Sequence, residues 1–301
     1  MTTDSVPKPA AFQLDPTQLQ RDYGSPRIVF GLIMTGVSIL FMVLALIPLG
    51  LVLYYVTIEG GSKLSWDLFV ALPPPPLVEG GGFGNALVGT IIMVAIGAAI
   101  SVPVGVMAAI YLAEFGTGKI ADWVRFANKV LSGVPSIIVG VFAYAVLVVT
   151  FRTYSAWAGG FAMAILMLPT IIASTDEALK LVPQEVRQAS VGIGANDYQT
   201  VLRVVLPAAV PAIVTGVTLA VARAAGETAP LIFTALFTQF WPNWSNWLLE
   251  PTASLSVMVY NFAIVPFENQ QEMAFAGSFV LVFFVLLTSV AARLATARRV
   301  Y

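Results

Sequence analysis

The chain has 301 residues, of which 58 % are hydrophobic and 10 % charged, with a formal net charge of −1 and a mean hydropathy of +0.87. A soluble chain of this length carries roughly 75 charged residues; this one has 15 basic and 16 acidic side chains. So little charge cannot cover a surface in water, which excludes soluble, fibrous and disordered classes and points to an integral membrane protein.

Residues 1–27 are polar and rich in Pro, Thr, Gln and Asp, and lack the basic start and short apolar core of a removable signal peptide. They read as a disordered lead-in. A helix crossing a hydrocarbon core of ~30 Å needs about 20 apolar residues. Uncharged runs of that kind place six spans near 29–55, 87–112, 131–151, 156–176, 208–235 and 275–296. Between the first two, Pro73-Pro74-Pro75-Pro76 and Gly80-Gly81-Gly82 suggest a stiff and then a flexible spacer. The stretch 228–249 ends in Trp and Asn residues suited to an interface, and 251–267 is short and interrupted by Pro251 and Pro266, so neither is taken as a whole span. Six spans put both termini on one side with twelve Lys and Arg, among them Lys119, Arg125, Lys180 and Arg187. Only Lys63 and Arg152 fall on the other. That asymmetry makes the termini cytoplasmic. The chain thus divides into a tail (1–27), a first helix with its external loop (28–85), and an all-α core (86–301) that includes a cytoplasmic loop over 177–207.

That loop is not linker-like. Pro183 suits a helix start, and Val186, Ala189, Ser190 and Ile193 follow at i, i+3, i+4 and i+7. Gly194 can close the helix in a left-handed conformation, and Asn196 or Asp197 can cap a second one. The spacing predicts a short helix–turn–helix ahead of Leu206-Pro207, fit either to dock a partner or to pack on its own bundle.

Arg223 and Glu227 are the only charges between Arg203 and Glu250. On a continuous fifth span they share one face at i, i+4, with Arg223 near the midplane. An ionised group there costs at least ~2.5–3.5 kcal/mol, so the pair should face a bundle interior or an aqueous path. A guanidinium offers an oxyanion two parallel charge-assisted hydrogen bonds. Glu227 can accept from a protonated phosphate oxygen or simply hold Arg223. A structural ion pair, or an Arg that snorkels to the surface, fits the same residues. Thr228 and Ser136 are candidate path hydroxyls that equally suit helix packing, and Pro103, Pro135, Pro169 and Pro230 mark candidate kinks.

With no Cys and no His, thiolate and imidazole metal sites and the usual nucleophile–base pairs are excluded. No G-x-x-x-x-G-K-[ST] stretch occurs. The chain reads as a transporter component rather than an enzyme, without a cofactor, drawing energy from a gradient or from another subunit. A gradient-driven transporter needs titratable relays in several spans, and only the fifth carries any.

The run Gln188-Ala189-Ser190-x-x-x-Gly194, nine residues, then Val204-x-Leu206-Pro207 resembles the EAA motif of ABC-transporter permeases, with Gln188 where the family usually has Glu. Ala224-Ala225-Gly226-Glu227-Thr228-Ala229-Pro230-Leu231, Val134-Pro135-Ser136-Ile137-Ile138 and Ala109-Ile110-Tyr111-Leu112-Ala113-Glu114 are similar to the phosphate-specific permeases, and the C-terminal third to the PstA-type family among them. The resemblance covers about 85–300. It implies a type I importer (MetI-like) permease fold and ATP-driven import of inorganic phosphate across a bacterial cytoplasmic (inner) membrane. It also implies a PstC-type permease partner, two PstB-type ATPase subunits and an external PstS-type phosphate-binding protein. Gln188, Ala189, Ser190, Gly194, Leu206 and Pro207 would then couple to the ATPase, and Arg223, Glu227 and Thr228 would line the path. The same architecture serving sulfate or molybdate is the main alternative.

Overall fold

The structure, a computed structural model, describes residues 26–297, and these are helices joined by turns and loops. The lead-in expected over 1–27 lies outside the described residues as far as position 25, as do Arg298 and Arg299. The chain forms two units that divide between Tyr54 and Tyr55. Most of α1 (Pro26–Ser62) belongs to the first. It is apolar on every side, with Phe30, Phe41 and Leu51 exposed, the pattern of a helix solvated by hydrocarbon.

The second unit begins with the last turns of α1, where Tyr55 meets Phe275 edge-on and Gly60 lets the backbone lie against Phe275 and Phe279. Next come α2 (Asp67–Val70) and α3 (Gly84–Ile110), which runs on through a π-helical turn, Tyr111–Phe115. An elbow follows. α4 (Lys119–Gly133) meets α5 (Ser136–Ala143) at 104°, and α5 continues through a π turn (Tyr144–Val148) into α6 (Val149–Phe151). After α7 (Ala156–Lys180) the chain makes α8 (Gln184–Gly192) and α9 (Asp197–Thr200). A further π turn, Val201–Val205, leads from α9 without a break into α10 (Leu206–Ala225). The short α11 (Ala229–Thr234) and α12 (Leu255–Ala263) precede α13 (Glu268–Ala297).

Among the described residues five helices are long and apolar enough to cross a membrane, and the elbow pair, taken as one span, makes six. The six expected spans are therefore present, with two corrections. The expected span 131–151 is not one straight helix. Pro135, with no N–H and a φ of −57°, starts α5 and ends α4 before it. The expected span 208–235 begins at Asp197 and stops at Ala225, because the chain turns at Gly226, Glu227 and Thr228 before α11. The interrupted run 251–267, not taken as a span, forms the short α12 inside the bundle: it buries Leu255, Met258 and Phe262, and Thr90 accepts a hydrogen bond from the Leu255 amide at 2.9 Å. Pro103 and Pro169 lie inside unbroken helices.

Glycines set the core spacing. A Cβ at Gly97 would sit 3.0 Å from that of Met163, and one at Gly105 2.8 Å from Ile171 Cγ2, so α3 and α7 pack backbone to side chain along their length. At the end of the bundle where α3, α7 and α13 begin, the Pro-rich stretch is fastened down rather than acting as a spacer. Asn269 donates to the carbonyls of Pro75 (3.3 Å) and Val78 (2.8 Å), buried Gln270 donates to that of Pro74 (3.3 Å), and Lys63 pairs with Glu272 at 2.6 Å. Gly81, at φ +86°, closes the loop against Pro74.

Candidate functional site

Two groups of residues stand apart at different levels of the bundle. The first is the α8–α9 hairpin, built by local signals. Pro183 takes the N-cap position of α8, and Gly194 turns the chain at φ +93°. Asn196 caps α9 through a reciprocal capping box with Gln199, at 2.9 and 3.0 Å. Inside the turn the hydroxyls of Ser190 and Thr200 share a hydrogen bond of 3.0 Å, and both residues are buried.

The remaining positions of the expected apolar face are not covered. Val186 and Ala189 are exposed, and Ile193 keeps 90 % of its surface open. Val191, Tyr198 and Leu202 are exposed beside them. Of the six motif residues, Gln188, Ala189, Gly194 and Pro207 are exposed. Ser190 faces inward, and Leu206 is half-buried against a cluster containing Ala178, Leu179 and Val205. The motif thus combines residues that hold the hairpin's shape with residues left exposed on its surface.

Sequence reasoning missed the anchor of this hairpin. Arg187 forms an ion pair with Glu114 at the end of α3, and both side chains are largely buried, with 17 % and 8 % exposure. The same guanidinium donates to the carbonyl of Leu179 (2.8 Å) in the last turn of α7 and to that of Val182 (3.4 Å) just past its end. Tyr198 stacks on Phe115 with ring centroids 5.0 Å apart. These partners are separated by more than seventy residues, and only the lone Glu at the end of an apolar run hinted at a polar contact.

The second group surrounds the end of α10. Arg223 and Glu227 approach to 3.8 Å between Nε and Oε1, yet they do not share a helix, since Gly226 ends α10 and Glu227 lies in the break. The arginine side chain is 71 % exposed and the carboxylate 18 %. Ser256 of α12 donates to the Glu227 carbonyl at 2.7 Å, and the Glu227 amide donates to Ala224 at 3.1 Å, which fixes the backbone behind the carboxylate. Thr228 follows at the N-cap position of α11, half-buried, and its carbonyl accepts from Leu231 and Ile232. Ser136 opens α5, which crosses α11 where Gly140 lies against Pro230, a Cβ there falling 2.6 Å from the proline Cα. The arrangement presents a guanidinium at the edge of the chain and a carboxylate acceptor behind it, at a break in the helix whose backbone is fastened by its own hydrogen bonds. That is the chemistry of an oxyanion contact. Among the described residues no three Asp or Glu side chains gather closely enough to hold a metal ion.

Residues 101–300 match the family model described as "Binding-protein-dependent transport system inner membrane component". Among curated relatives, the phosphate transport system permease protein PstA of Haemophilus influenzae is 40 % identical over 87 % of this chain and 92 % of its own length. That of Yersinia pestis is 39 % identical over 82 % and 83 %. A probable ABC transporter permease, YqgI of Bacillus subtilis, is 32 % identical over 79 % and 85 %. Two solved structures share the fold at low identity. An inward-facing MetNI methionine ABC transporter chain superposes with a TM-score of 0.55 at 22 % identity, covering 72 % of this chain and 94 % of its own. A chain of a bacterial alginate ABC transporter, solved with its periplasmic protein, gives 0.60 at 14 %, covering 94 % and 98 %.

Proposed function

The chain belongs to the PstA family of binding-protein-dependent inner membrane permeases, and on that premise we propose that it is the permease subunit of an ATP-driven importer of inorganic phosphate. The PstA relatives, matched over most of their length, support the substrate. In this reading a PstC-type permease completes the path, two PstB-type ATPases engage the exposed face of the α8–α9 hairpin, and a PstS-type protein delivers phosphate from outside. The termini and the hairpin face the cytoplasm.

The observation that carries the path is Arg223. Its charge stands 71 % exposed at the end of an apolar helix whose other large side chains face hydrocarbon or the bundle. Glu227 meets that guanidinium at Nε, 3.8 Å away, so its exposed remainder suits a polar counterpart outside this chain, and the seam with a second permease provides one. Phosphate passing the seam meets the fork of Arg223. Glu227, held back by its fixed backbone, accepts the proton of a monohydrogen oxyanion. Sulfate has no such proton and leaves that carboxylate facing an anion without a donor between them.

The test is the assembled complex in proteoliposomes with its binding protein. Uptake of radiolabelled phosphate should depend on ATP and resist excess sulfate or molybdate. Transport of either of those anions at a rate comparable to phosphate would sink the assignment.

A further inference from the structure

The ion pair beneath the hairpin has a role that the docking surface itself does not supply. The π-helical turn Tyr111–Phe115 receives a side-chain contact from each of α4, α8 and α9. Arg187 of α8 pairs with Glu114, Tyr198 of α9 stacks on Phe115, and Arg125 of α4 donates to the Leu112 carbonyl at 2.7 Å. Glu114 is 8 % exposed, and its second carboxylate oxygen, Oε1, is buried with no partner among the described residues, so Arg187 alone compensates that charge. A buried charge with one counter-ion ties the two elements closely, because separating them strands the charge. The turn is also where the regular helical ladder of the α3 span is interrupted, as π segments often are at functional places.

What lies on either side gives this joint its direction. Towards one side is a hairpin with an uncovered apolar face. Towards the other, α4 leads through the 104° elbow into α5, which rests at Gly140 on Pro230, three residues from Glu227. We propose that Glu114, Phe115, Arg187 and Tyr198 form a clamp through which movement of the hairpin is imposed on the α3 span and on the elbow. In this proposal they are positioning residues for transport, with no contact to phosphate or nucleotide. The inference rests on the hairpin being the ATPase contact, as proposed above.

The clamp is tested in the complete four-component complex by the number of phosphates moved per ATP hydrolysed, with assembly measured by co-purification. Glu114→Gln combined with Arg187→Gln removes both charges and leaves neither one stranded. It should keep the ATPase bound while phosphate per ATP falls about fivefold or more, the scale of a lost inter-site coupling. A purely structural role lowers the amount of complex but leaves that ratio unchanged. Tyr198→Leu, at a side chain 68 % exposed, should lower the ratio more mildly and gives a second variant if the buried pair proves necessary for folding. An unchanged ratio in whichever of these assembles overturns the clamp. Failure of the unmodified complex to move phosphate would instead overturn the function on which it rests.

Discussion

Ser190 and Thr200, ten residues apart and on opposite arms of the hairpin, share a buried hydrogen bond of 3.0 Å. Each hydroxyl is the other's side-chain partner at the tightest point of the turn, so the hairpin is closed by side chains as well as by its caps. Ser190→Ala leaves the Thr200 hydroxyl short of a partner in a buried place and should cost about 1–2 kcal/mol. Adding Thr200→Val removes the orphan and should recover part of that loss. Thermal unfolding of the detergent-solubilised complex checks both. A single variant as stable as the parent would show that the bond contributes nothing net.

Gly194 makes a separate demand on the same turn. Its φ is +93°, and a Cβ built there meets nothing within 4 Å, so space is free and only backbone conformation resists substitution. Gly194→Ala should cost about 1–2 kcal/mol, whereas Gly194→Asn should cost less, since Asn tolerates left-handed backbone better. Both should lower co-purification of the ATPase in that order. Gly194→Glu adds bulk and charge on the open face and should abolish uptake in a chain that still inserts. Equal ATPase retention by the Ala, Asn and Glu variants would remove the turn from the partner contact.

At the other end of the bundle Lys63 is held above its ordinary value near 10.5, chiefly by its hydrogen bond to Glu272, with burial opposing and the charges of Glu272, Glu268 and Glu59 adding to the rise. A folded pKa raised above the unfolded one adds stability that is complete below the unfolded value and fades as pH rises through the folded one. Between α1 and α13 this link should therefore hold through neutral pH and loosen only in alkali. At about pH 10, where an ordinary lysine is part-deprotonated, acylation of Lys63 should lag behind that of exposed lysines. Glu272→Gln should abolish the lag. Mass spectrometry of the labelled chain reads the rates, and equal rates in both proteins would show that the pair does not hold the proton.

The hairpin was legible because its signals are local: Pro183, Gly194 and Asn196 act within a few residues of themselves, and each stands where the sequence places it. The number of spans followed from charge-free length, once 228–249 and 251–267 were set aside for their aromatic, amide and proline content, and from the asymmetry of Lys and Arg. Where the fifth span stops was not legible, because Gly226, Glu227 and Thr228 carry no breaker as strong as proline, and Pro230 comes only after the turn. What stabilises that turn is Ser256 from α12, a helix whose run is too short and proline-bounded to count as a span and whose place in the interior the sequence did not show. Short apolar runs are also what a multi-helix protein uses to fill its interior, and sequence period does not separate the two cases. The Glu114–Arg187 pair spans the gap between two elements distant in sequence, and beyond a lone Glu ending an apolar run no pattern in either segment names its partner.

The break at Gly226 sharpens the test of Arg223 and Glu227. Had both stood on one helix, their pairing would follow from helical spacing. Here the carboxylate is placed by a turn whose backbone is fastened to Ala224 and Ser256, so changing the side chain should leave the turn intact. Arg223→Lys keeps the charge and loses the fork, and should cut transport severely in a complex that assembles normally. Arg223→Ala leaves Glu227, only 18 % exposed, without its counter-ion, at a cost of about 3 kcal/mol or with uptake of a proton. Replacing both, Arg223→Gln with Glu227→Gln, removes the charges together. If the pair only braces the break, that double variant should regain assembly and phosphate uptake. If the pair meets the anion, it should assemble, hydrolyse ATP in response to the loaded binding protein and move no phosphate. The exposure of Arg223 favours the second outcome, because a brace has no reason to turn 71 % of its surface away from the chain it braces. Near-normal uptake by the double variant would return both residues to the scaffold.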